Sequence, residues 1–166
     1  MDSNFNRVWE RVRAARSERL MQPERPYTGK AAPLNMKSAL EGFIENEVSD
    51  SGYYSALASK TTQLKARRLF MRLSAEEKNH ARQLQTAYFL LCGNSYAVKR
   101  PAKTPPRSML EALRQRYSAE NEGAAAYLSA AERTDNSELK QFFSELAKDE
   151  KRHAAEIKRL VESSMG

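Results

Sequence analysis

Six side chains of this 166-residue chain have the types and spacing to hold metal ions: Glu47, Glu77, His80, Glu120, Glu150 and His153. Glu77 with His80, and Glu150 with His153, are Glu-x-x-His pairs, and residues three apart on a helix project from one face, so each pair can reach a common point. The chain has two histidines, and both are in these pairs. Each pair stands thirty residues behind a further glutamate, Glu47 or Glu120. Four carboxylates gathered in an apolar interior carry a large desolvation and repulsion cost, which two divalent cations would offset. Oxygen and imidazole ligation suits iron or manganese.

Spacing turns these residues into a constellation. Adding 73 to Glu47, Tyr54, Phe70, Leu73, Glu77, His80 and Ala81 gives Glu120, Tyr127, Phe143, Leu146, Glu150, His153 and Ala154, with the residue type kept at every position. The chain therefore reads as two copies of one helical hairpin, each supplying two carboxylates and one imidazole. A single Glu-x-x-His occurs by chance on charged helices; two copies in register do not read that way.

The elements that must position these residues are helices. From Met36 to about Ser59 the stripe Leu40, Phe43, Ile44, Glu47, Tyr54, Leu57 sets one carboxylate in an apolar face. A second stripe, Leu64, Leu69, Phe70, Leu73, Glu77, His80, Leu84, Tyr88, Leu91, stops at Gly93, a natural C-terminal cap. Pro101, Pro105 and Pro106 break the chain between Asn94 and Arg107. Ser108 with Glu111 forms a capping box that opens a third helix through Leu113, Tyr117, Glu120 and Tyr127 to about Glu132. Asp135 with Glu138 is a second capping signal, ahead of a fourth helix carrying Leu139, Phe142, Phe143, Leu146, Glu150, His153, Ile157 and Leu160. Short joins near Thr61 and Thr134 imply antiparallel hairpins. The fourteen-residue middle connection spans roughly 45 Å when extended, enough for a crossover along the whole bundle.

The expected fold is all-α, a four-helix bundle over residues 34–166 made of two helix hairpins joined by a crossover. Residues 1–33 add an amphipathic N-terminal helix, with Phe5, Val8, Trp9, Val12, Leu20 and Met21 on its apolar side, and a Pro/Gly linker.

Composition narrows the function classes. Cys92 is the single cysteine, which leaves no Cys-x-x-Cys pair, intrachain disulfide or four-cysteine iron site; in the run Phe89-Leu90-Leu91-Cys92 it reads as a buried small residue. The formal charge of +7 comes from basic residues spread over several segments without a nucleic-acid motif, so a solvated surface is expected and no nucleic-acid partner. No stretch approaches eighteen uninterrupted apolar residues and Met1-Asp2-Ser3-Asn4 does not open a signal peptide, so the expectation is a cytoplasmic protein without a membrane partner.

Over residues 36 to 162 the paired Glu and Glu-x-x-His pattern resembles the rubrerythrin and bacterioferritin branch of the ferritin-like superfamily. The resemblance implies two iron ions per subunit, with manganese or zinc able to replace them, bridged by Glu77 and Glu150. Glu47 and Glu120 would bind terminally, and His80 and His153 would complete the ends. Tyr54 and Tyr127 are either hydrogen-bond partners of ligand carboxylates, as such folds allow, or core aromatics. Relatives of the peroxidase type often carry a further glutamate where this chain has Gly123; Asp50 occupies the repeat-equivalent place, and a solvent-facing or capping role is favoured for it over ligation. The activity implied is a di-iron oxidoreductase reacting Fe(II) with hydrogen peroxide or dioxygen in oxidative-stress defence, fed by an external electron donor and assembled as a homodimer or larger homo-oligomer. A ferroxidase for iron storage and a metal-free helical interaction module are the alternatives.

Overall fold

The computed structural model describes residues 34–99 and 108–165, so the expectations for residues 1–33 lie outside the described residues. Four helices carry the described chain: α1 (Met36–Lys60), α2 (Leu64–Cys92), α3 (Met109–Glu132) and α4 (Ser137–Met165). None of them is long and apolar enough to cross a membrane.

Three of the four helices open on a side-chain cap. Asn35 Oδ1 accepts from the Ser38 N–H at 3.3 Å, and Ser108 Oγ accepts from the Glu111 N–H at 3.1 Å, satisfying donors that the first turn leaves unpaired. Glu111 stands in the first turn of α3, and its carboxylate accepts from Gln115 at 3.4 Å. The cap of α4 differs from the expected Asp135: Asn136 Oδ1 accepts from the Leu139 N–H at 2.8 Å, since the helix begins at Ser137 and the capping residue is the one just before it. Gly93 ends α2 at φ 79°, a left-handed conformation that a side chain would strain. Cys92, expected to be buried, is the last residue of α2 and only partly covered.

The direction of the helices follows from their cross-contacts. Tyr54 of α1 bonds Glu120 of α3 while Tyr127 of α3 bonds Glu47 of α1, so α1 and α3 run antiparallel. Because α1 and α2 form one hairpin, α2 and α3 are parallel, and residues 93–108 must travel the length of the bundle. The long crossover expected from the sequence is therefore required. Its first part packs across α1 and α2: Gln85 donates to the Tyr96 carbonyl at 3.2 Å, and Glu45 accepts from the Tyr96 hydroxyl at 2.9 Å and the Lys99 N–H at 2.8 Å.

The core is two apolar clusters with a polar layer between them. One holds Leu40, Ile44, Leu84, Tyr88, Tyr127, Phe142 and Phe143; the other holds Tyr54, Leu57, Phe70, Leu73, Leu113, Ile157 and Leu160. Along every helix the chain passes from one cluster to the other through the six candidate ligands. Burial of these aliphatic and aromatic side chains supplies the driving force that holds the polar layer in place.

Candidate metal centre

All six sequence-selected residues meet in that layer, and none is more than 5% exposed. Their ligand atoms form two groups, Glu47, Glu77, His80, Glu150 and Glu77, Glu120, Glu150, His153, each within 4.8 Å. Glu77 and Glu150 belong to both. His80 Nδ1 lies 3.0 Å from Glu77, 3.5 Å from Glu47 and 3.5 Å from Glu150. His153 Nδ1 lies 2.9 Å from Glu77 and 3.3 Å from Glu120. Both imidazoles thus turn the same nitrogen toward the carboxylates.

The other ring nitrogens face outward to a second set of acids that sequence reasoning missed. His153 Nε2 is 2.7 Å from Glu76, and His80 Nε2 is 3.4 Å from Asp149. Arg152 in turn reaches both Glu76, at 3.0 Å, and Asp149, at 2.7 Å, while Arg72 holds Glu76 at 3.0 Å. A carboxylate on the outer nitrogen fixes the tautomer and orientation of an imidazole. The signal was present: Glu76 and Asp149 each immediately precede a shared glutamate and are 73 residues apart.

The tyrosine hydroxyls cross between hairpins, Tyr54 donating to Glu120 and Tyr127 to Glu47. Burial, and then the neighbouring carboxylate, raise both phenols well above their ordinary pKa, so they remain donors.

Without cations the layer balances its charge by holding protons. Burial pushes Glu47 up to about 8 and Glu150 to about 9, against the favourable pull of His80. Glu77 overcomes its burial penalty through His153 and His80 and falls to about 2. Both histidines resist the burial that would neutralise them: Asp149 and Glu150 lead in raising His80, and Glu120 and Glu77 raise His153 to about 11. The fit to cations shows in what remains unsatisfied. Glu77 Oε1 and Glu150 Oε1 are buried oxygens with no hydrogen-bond partner, and they belong to the two glutamates common to both groups. Glu77 Oε1 is near His153 Nδ1 but not in hydrogen-bonding geometry. Buried acceptors of this kind, in a set of oxygen and imidazole donors, suit iron or manganese.

The two ends differ in one respect. A Cβ on Gly123 would stand 3.2 Å from Glu150 Oε2, so glycine leaves that carboxylate its space. On the first hairpin the repeat-equivalent Asp50 is half-buried and within its helix rather than a cap: it is ion-paired to Arg116, whose guanidinium lies 4.7 Å from the Tyr53 ring centroid and 5.8 Å from that of Tyr54. Asp50 is absent from both ligand groups. The residue equivalent to Arg116 is Phe43, packed 4.4 Å from the Tyr127 ring. One end is thus sealed by an aromatic ring and the other by an ion pair.

Comparison with known proteins agrees with this architecture. The chain is similar to the Uncharacterized protein YhjR of Bacillus subtilis (strain 168), with 29% identity over 115 residues, 69% of this chain and 79% of that protein. The ferritin-like domain family matches residues 23–163, spanning all six buried Glu and His residues and nearly the whole of the four helices. The chain belongs to the ferritin-like domain family.

Proposed function

We propose that this chain is a di-iron oxidoreductase resembling rubrerythrin, which reduces hydrogen peroxide or dioxygen in the cytoplasm with electrons from an external donor. The observation that carries the reading is the pair of buried ligand groups sharing Glu77 and Glu150. Glu77 and Glu150 would lie between two iron ions, Glu47 with His80 would hold one end, and Glu120 with His153 the other. Bound iron would supply the electrons for cleaving an oxygen–oxygen bond. The chain's own work is to orient and to exclude: Glu76 and Asp149 hold the imidazoles by their outer nitrogens, Tyr54 and Tyr127 pin one oxygen of Glu120 and of Glu47, and the two apolar clusters keep bulk water from the layer.

Protein loaded with Fe(II) under anaerobic conditions is expected to be oxidised rapidly by a stoichiometric addition of peroxide and to turn over with an added reductant. Stopped-flow absorbance reads the reaction, and negligible oxidation by both peroxide and dioxygen rejects the proposal. Native mass in the same preparation separates catalysis from storage: a dimer without mineral supports the oxidoreductase, whereas a large shell carrying a mineral core replaces it by the ferroxidase.

The tyrosines give an independent measure. Tyr54→Phe and Tyr127→Phe each remove one hydrogen bond from a buried carboxylate, and loss of such an outer partner typically costs about 10-fold to 100-fold in metal affinity. Isothermal titration with Co(II) should show that weakening with unchanged helix content. Wild-type affinity in both variants would return the tyrosines to core aromatics.

A further inference from the structure

The internal repeat relates more than ligands. Asn35 and Ser108, the caps of α1 and α3, are 73 residues apart, as are Thr61 and Thr134, whose hydroxyls accept from Gln63 and Asn136 in the two hairpin turns. The groove between α1 and α2 therefore has an image between α3 and α4. In the first groove Leu40, Ile44 and Tyr88 belong to the cluster on which Tyr96 and Val98 pack, the Tyr96 ring 5.5 Å from that of Tyr88. The second is a cavity of about 240 Å³ lined by Leu113, Arg114, Tyr117, Lys158 and Val161, the images of Leu40, Glu41, Ile44, Gln85 and Tyr88. Tyr117 is 42% exposed where Ile44 is fully buried.

The same symmetry says what should cover it. Residues 94–99 follow α2 and pack at the first groove, and α3 opens on its cap Ser108; the image of the connection 94–107 is residues 21–34, which precede the α1 cap Asn35. A segment of that length therefore has the reach, as its counterpart does. We propose that residues 20–27 of this chain occupy the groove between α3 and α4, with Leu20, Met21 and Tyr27 against Leu113, Tyr117 and Val161, and Glu24 facing Arg114 and Lys158. Charge supports the assignment: the second groove carries Arg114 and Lys158 and is offered Glu24. Residues 100–107, which precede α3 in the sequence, contain no large apolar side chain. A segment tethered to the same chain also competes at an effective concentration in the roughly millimolar range.

Disulfide trapping in the full-length chain tests this. In a Cys92→Ser background, Glu24→Cys with Lys158→Cys should oxidise to an intrachain disulfide at least about 10-fold more completely than Glu24→Cys with Gln85→Cys on the first hairpin, because only a docked segment holds its partner within bonding distance. Intact mass and non-reducing electrophoresis read the product. Equal or absent cross-linking in the two pairs overturns the proposal, and a covalent dimer overturns it in favour of a second copy as the occupant. Tyr117→Glu, at an already exposed position, provides a readout without engineered cysteines: chymotrypsin cleavage after Tyr27 should run about 10-fold faster than in the unaltered chain. Identical cleavage rates again overturn the docking.

Discussion

Glu77→Ala is expected to abolish binding of both metal ions, while Glu47→Ala is expected to leave one. The difference follows from membership: Glu77 contributes to both ligand groups and Glu47 to one. Glu77 is also the carboxylate nearest both inner imidazole nitrogens, at 3.0 Å from His80 and 2.9 Å from His153, so its loss leaves two buried cationic rings with weakened partners. A lost ligand should cost more than a lost outer partner, hence over about 100-fold in affinity. Metal analysis after anaerobic loading and desalting gives the stoichiometry directly. Glu77→Gln, which keeps the volume, separates lost ligation from a cavity, and helix content by circular dichroism reports whether the bundle is intact. Two tightly bound ions in Glu77→Ala would end the shared-ligand reading.

Metal-free protein should lose stability as pH rises from about 5 to 9, and loading with metal should reverse the trend. Glu47, raised to about 8, and Glu150, raised to about 9, hold protons in the folded state that the unfolded chain releases near 4.5. Their stabilisation is complete below 4.5 and is lost as pH climbs through their folded values. The histidines act in the same direction: both are raised from 6.5, His153 to about 11, so their contribution fades above 6.5. Asp50, raised to about 6 by burial despite Arg116, adds a smaller loss at the acidic edge of the window. Glu77, Glu76 and Asp149 are lowered, so their contribution is lost only on acidification and stays constant across this range. Cations compete with all of these protons, which makes metal affinity increase with pH and makes binding release protons. At a free metal concentration of about 1,000 times Kd the stabilisation is about 4 kcal/mol, or roughly 8–16 °C in melting temperature for a domain of this size. Melting curves from pH 5 to 9, with and without Co(II), check both slopes; a metal-free melting temperature that rises through this interval contradicts the proton-held layer.

Much of this centre was legible in the sequence because metal ligation and helix geometry both impose fixed spacings. Glu-x-x-His on one helix face, a glutamate thirty residues earlier and a 73-residue repeat select six residues, and all six converge. Helix boundaries were legible where a Gly, a Pro or a capping side chain marked them. What escaped had no fixed spacing to betray it. Arg116 and Asp50 are 66 residues apart on different helices, and their pairing depends on α1 and α3 lying side by side, which no local pattern encodes. Asp135 and Asn136 are adjacent good caps, and the choice between them turns on one residue of helix register. Glu76 and Asp149 lie outside the Glu-x-x-His pattern, and each reaches the outer nitrogen of the imidazole on the opposite hairpin, a pairing that no local spacing encodes.

The seam between the hairpins has a mechanical consequence. Each hairpin brings two carboxylates and one imidazole, and the Tyr54 and Tyr127 bonds to Glu120 and Glu47 cross from one hairpin to the other. A cation pair at this layer would act as a rivet through two plates that are otherwise pressed together by the apolar clusters on either side. Any loosening of the plates would then begin at the rivet, and filling it would stiffen the whole bundle from its middle outward.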